Sequence, residues 1–132
     1  MNYQAASVHN ENLDYDLYRA NFNEWKSVRH LLTKDLYVLT PWHHRLNLMG
    51  WTAFAYDEPE AGESVLLAFR MEDCREDTFA AKLPFADPGR QYRVTNADTG
   101  ESVTVDGEQL AAGYAITLPE PKSSALLRIW RL

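Results

Sequence analysis

The residues with the most reactive side chains stand together at 42 to 45, where Trp42, His43, His44 and Arg45 follow one another. Adjacent histidines raise two chemistries, metal ligation and proton transfer, and the spacing favours neither. In an extended segment successive side chains point to opposite faces, and in a helix they diverge by roughly 100°. Paired histidine ligands sit two apart on a strand or three to four apart on a helix, and no carboxylate or third ligand stands at a persuasive distance. No metal or other cofactor is therefore expected. His43 and His44 remain candidates for ligand contact, or for a loop that meets a neighbouring domain.

Other reactive groups give no catalytic set. Asp57, Glu58, Glu60 and Glu63 crowd a turn between two strands, where a solvated face accounts for them better than a carboxylate pair flanking a glycosidic bond. Ser123, Ser124 and Thr40 have hydroxyls without a local base or an oxyanion-hole motif. Cys74 is the only cysteine, which excludes an internal disulfide and any multi-cysteine zinc site, and no flanking pattern marks it as a nucleophile. The six glycines form no phosphate-binding loop. Aromatic rings offer a different chemistry, since flat faces stack on sugars. Trp42 and Trp51 are the candidates for such a platform, although Trp25, Trp51 and Trp130 fit core packing or an interdomain contact better.

The elements that would hold these residues are legible. From 13 to 32 the apolar residues Tyr18, Phe22, Trp25, Val28 and Leu32 recur at spacings of three and four without Gly or Pro, which predicts a helix with a broad aromatic stripe. Such a stripe must face the rest of the chain or another domain. After Lys34 the pattern shortens to about eight strands, at 36–40, 50–56, 64–71, 77–83, 91–97, 101–105, 114–118 and 125–132. Asp-Pro-Gly at 87–89, Asn-Ala-Asp-Thr-Gly at 96–100 and Asp-Gly at 106–107 read as hairpin turns. Short strands with no helices between them cannot make a parallel sheet, so the expected fold is all-β, a two-sheet antiparallel, Greek-key-like β-sandwich preceded by one α-helix. Strand 64–71 is apolar on both faces and reads as central, whereas 91–97 alternates with Tyr92 and Val94 inward.

The chain has 132 residues, one domain by length, with 45% apolar residues and a net charge of -6. Scattered basic residues in an acidic chain disfavour nucleic acid as a partner. No apolar run is long enough to span a bilayer, so no membrane partner is expected. Residues 1–12 read as a disordered leader with neither the cationic start nor the apolar core of a secretory signal, which favours the cytoplasm over export.

Taken in order, several stretches resemble the end of the α-galactosidases of glycoside hydrolase family 36. They are YRANFNEWKSVRHLLTKDLYVLTP, WTAFAYDEPEAGESVLLAFR, GRQYRVTNADTG and GEQLAAGYAITLPEPKSSALLRI, and together they run from about residue 15 to 130. The resemblance implies a helix at 13–33 like the last barrel helix of such an enzyme, followed by its C-terminal β-sandwich at 34–132. It implies a parent α-galactosidase, or an α-N-acetylgalactosaminidase relative, whose two catalytic aspartates lie in a (β/α)8 barrel outside these residues. This chain is then no enzyme on its own but an accessory domain that stabilises the barrel or the oligomer. The expected partner is that barrel, with self-association through Phe22, Trp25 and Leu32 as a second possibility. The competing reading is a carbohydrate-binding sandwich using exposed aromatics.

Overall fold

The structure, a computed structural model, describes residues 14–42 and 48–132. The proposed leader 1–12 lies outside the described residues, as do His43 and His44.

Helix α1 spans Tyr15–Val28 and starts where Asp14 caps it, its carboxylate accepting from the backbone N–H of Asp16 and Leu17 at 3.1 and 2.9 Å. The helix expected to reach 32 ends earlier. Its last turn passes into a 3-10 turn at Leu31–Thr33, closed by the Lys34 N–H on the Leu31 carbonyl at 2.9 Å, and the chain then enters the sheet.

Eight strands follow: β1 (Asp35–Val38), β2 (Trp51–Glu58), β3 (Glu63–Arg70), β4 (Thr78–Ala81), β5 (Gln91–Asn96), β6 (Ser102–Asp106), β7 (Tyr114–Thr117) and β8 (Ser123–Arg131). Six form one antiparallel sheet in the order β1-β2-β3-β8-β5-β6, and β4 pairs with β7 in a second. The fold is an all-β sandwich with Greek-key character, because the chain leaves the large sheet after β3 for β4, re-enters it with β5 and β6, leaves again for β7, and finally places β8 between β3 and β5. Between β6 and β7 stands a helix that sequence reasoning assigned to a hairpin turn, α2 at Gly107–Gly113. The glycine at 107 is not there for a positive φ. A Cβ on it would sit 1.8 Å from the Asp87 carbonyl oxygen, so only glycine lets the two segments meet.

The core lies between the two sheets. Ala53, Ala68 and Ala125 form one directly paired row across β2, β3 and β8, flanked by Leu66, Leu127, Ile129, Val94 and Tyr92, with Leu110 of α2 and Ile116 of β7 closing over them. The inward reading of Tyr92 and Val94 holds, and so does the central reading of β3: Leu66 faces this core, while Val65 on the opposite face packs against Val28, Leu31 and Leu126. Arg70 at the end of β3 is buried and donates to the carbonyls of Leu118, Pro119 and Cys74 at 2.7, 2.7 and 2.9 Å, tying two loops to the strand.

Candidate interaction face

The large sheet has an outer face, and α1 covers only part of it. Antiparallel pairing puts Val38, Phe54, Leu67 and Leu126 in one cross-strand row over β1, β2, β3 and β8. Leu126 is 4% exposed beneath Val28 and Leu31, Leu67 and Phe54 are half-buried, and Val38 is 62% exposed. Burial thus falls away from β8 toward the β1 edge, where Leu36 is open as well.

The helix presents an unexpected stripe to the sheet. Leu17, Asn21 and Glu24 line grooves against 95–98 and against Leu67 and Leu126, and Val28 continues that line into the apolar contact. Burial, with the Asp98 carboxylate nearby, raises the Glu24 carboxyl above its ordinary range. Ala20 and Ser27 line the same groove beside Thr95, Asn96 and Arg128. At 100° per residue the opposite flank of α1, carrying Tyr18 and Trp25, is then turned to the β3-β2-β1 half of the sheet, with Phe22 beside it and farther outward. Phe22 is 45% exposed, and Trp25 and Leu32 are half-buried. Phe22 and Trp25 stack, Lys26 Nζ lies 4.7 Å from the Phe22 ring centre, and the Arg29 guanidinium lies 5.5 Å from that of Trp25. The aromatic stripe read from the sequence therefore exists, but only its Val28 end packs into the sandwich, while its rings flank an open apolar floor.

The helix is latched at its C-terminal end. Lys34 pairs with Glu58, and the Glu63 carboxylate meets His30 Nε2 at 3.0 Å and Arg128 at 3.6 Å. Arg128 in turn lies over the Trp130 ring at 4.6 Å. The acidic turn is thus not the solvated face expected for it. Only Glu60 is free of such a role among its four carboxylates, because Asp57 is buried and accepts from Ser64 Oγ at 2.6 Å. Burial raises the Asp57 carboxyl against the lowering effect of that hydrogen bond.

The sugar-platform candidates separate. Trp51 is 8% exposed, stacks on Phe79 at 5.6 Å and donates its indole N–H to the Glu76 carbonyl at 3.0 Å, so its ring is part of the core. Trp42 is 86% exposed. The structure does not bring the two together as a stacking surface. Among the described residues no group of three or more His, Cys, Asp or Glu could hold a metal ion, and no helix is long and apolar enough to cross a membrane.

Sequence reasoning missed Val38 and Phe54 as part of the open face. The signal was available, since β2 alternates two apolar sets, Trp51, Ala53 and Ala55 on one side and Phe54 and Tyr56 on the other.

No protein-family profile matches the chain, and no curated protein sequence does. Solved structures share its fold, two of them α-galactosidase structures. One is described as the galactosidase domain of the α-galactosidase-sucrose kinase AgaSK, with a TM-score of 0.68 and 16% identity over 91% of this chain. The other is the GH36 α-galactosidase AgaB from Geobacillus stearothermophilus, with a TM-score of 0.70 and 16% identity over 92% of this chain. The chain spans 16% of the length of each. At that identity the likeness is one of fold, and the chain has the architecture of a segment found within these larger α-galactosidases.

Proposed function

We propose that this chain is a non-catalytic accessory domain of an α-galactosidase-like glycoside hydrolase, docked on the catalytic barrel and stabilising it or the oligomer. The observation that carries the reading is the combination of a fold matching one sixth of two α-galactosidases with an apolar face left open on the helix that precedes the sandwich. The exposed Phe22 ring, stacked on the half-buried Trp25 beside an exposed apolar sheet edge, favours a protein surface as partner over water. The catalytic aspartates of such an enzyme belong to the barrel, so the chain's contribution is mechanical, a rigid body holding barrel elements in place.

The test is made in the longer enzyme. Deleting residues 35–132 is expected to lower its melting temperature or change its assembly, with loss of activity following. A deletion that leaves stability, assembly and α-galactosidase turnover intact sinks the proposal. Titration of this chain with galactose, melibiose and raffinose checks the competing reading, in which saturable binding near Trp42 would make it a carbohydrate module.

A further inference from the structure

We infer that the corner between the aromatic flank of α1 and the β1-β2-β3 floor is the seat of a single amphipathic α-helix whose border carries carboxylates. This rests on the proposed docking and names the element that docks.

Size comes first. The uncovered strip runs from β1 to β3, two inter-strand spacings of about 4.8 Å each, so it is about 10 Å wide, which is the diameter of one α-helix. A second helix laid beside α1 would complete the layer that α1 begins, with Trp25 as its wall and Val38, Phe54 and Leu67 as its floor. An extended strand added to the edge of β1 would leave that floor open.

Charge decides the kind of helix. Although the chain is acidic overall, the border of this corner is basic: Lys26 and Arg29 lie over the Phe22 and Trp25 rings, and among the described residues neither is in an ion pair. An occupant with Glu or Asp along the facing border would meet both cations. A second copy is disfavoured, because two α1 helices seated in each other's corners would bring Lys26 and Arg29 of one against those of the other.

The probes are two synthetic helical peptides of about 20 residues with the same Leu/Ala face, one bearing Glu and one Lys along the borders. They are titrated into the chain with amide shifts followed by NMR. We expect the Glu peptide to move signals of 18–29, Leu36, Val38 and Phe54, and to bind at least about tenfold more tightly than the Lys peptide. Phe22→Ser with Val38→Ser should weaken it by a similar factor, and Lys26→Glu with Arg29→Glu should reverse the preference. Equal binding of both peptides, no binding of the Glu peptide, or shifts confined to another surface overturns the inference. So does a concentration-dependent dimer in sedimentation that Phe22→Ser abolishes, which would make a second copy the occupant. Because no enzyme is needed, a positive result stands even if deletion of 35–132 leaves the parent enzyme unaffected, and a negative one leaves that deletion result meaningful.

Discussion

Phe22 and Trp25 lie ring on ring, centroids 5.6 Å apart and 22° from parallel, and neither ring belongs to the domain's buried core. Their value to the isolated fold is that of an exposed i,i+3 contact, a few tenths of a kcal/mol. Phe22→Ser is therefore expected to cost less than about 1 kcal/mol. Leu31→Ala, which opens the fully buried contact with Val65 and Leu126, should cost about 2–5 kcal/mol. Urea unfolding of the two variants decides, and equal losses would mean that the aromatic pair is part of the core after all.

Arg70 should prove indispensable to the fold. Its guanidinium satisfies carbonyls of residues 74, 118 and 119, and truncation leaves those acceptors in a site that water reaches poorly. Arg70→Ala is expected to destabilise by about 3 kcal/mol or more. Arg70→Lys should recover less than half, because an ammonium cannot reproduce the planar fork. Thermal unfolding of both variants measures the difference.

Asp57 should make stability depend on pH in the less common direction. Its carboxyl is raised by burial, so the folded chain holds that proton more tightly than the unfolded one. Its contribution is complete below the unfolded value of about 3.9 and is lost as pH rises through the folded value. Asp57→Asn keeps an acceptor for Ser64 and removes the buried charge, so it should stabilise the chain at neutral pH by an amount that shrinks on acidification. Glu24→Gln should behave alike, for the same reason of burial. Denaturant midpoints collected from acid to neutral pH would show it, and a gain independent of pH would refute it.

Gly107→Ala should cost about 2–4 kcal/mol, since the added methyl must displace the backbone at Asp87. Gly100→Ala, at φ +74 with open space around it, should cost only about 1 kcal/mol. Melting temperatures of the two variants separate crowding from backbone conformation.

Those two glycines also show where sequence reading succeeds. Asn96 to Gly100 carries turn chemistry that acts locally, and the turn is where it was expected, with Asn96 Oδ1 accepting from the Asp98 N–H at 2.8 Å. Asp106-Gly107 has the same local signature but answers to a backbone twenty residues earlier, a long-range constraint that hid α2. The strands announced themselves by short apolar or alternating runs between breakers, because those signals are local. The sequence favours core packing for Trp51 and the ring is buried, but the partners that bury it, Phe79 and Glu76, lie far along the chain. The helix flank was legible as a stripe but not as an orientation, which is fixed by the latch of His30 and Lys34 onto Glu63 and Glu58.

The position of β8 has a consequence for how the domain is made. Ser123–Arg131 follows the domain's other seven strands in the chain, yet it is the link between the β1-β2-β3 and β5-β6 halves of the large sheet. At a synthesis rate of about 5–20 residues per second the two halves wait as separate pieces, each with a bare hydrogen-bonding edge. A domain cut short before Ser123 leaves the edges of β3 and β5 open, and such edges draw aggregation and proteolysis. The strand order thus makes closure of the large sheet wait on the domain's eighth strand, and only then are both edges covered.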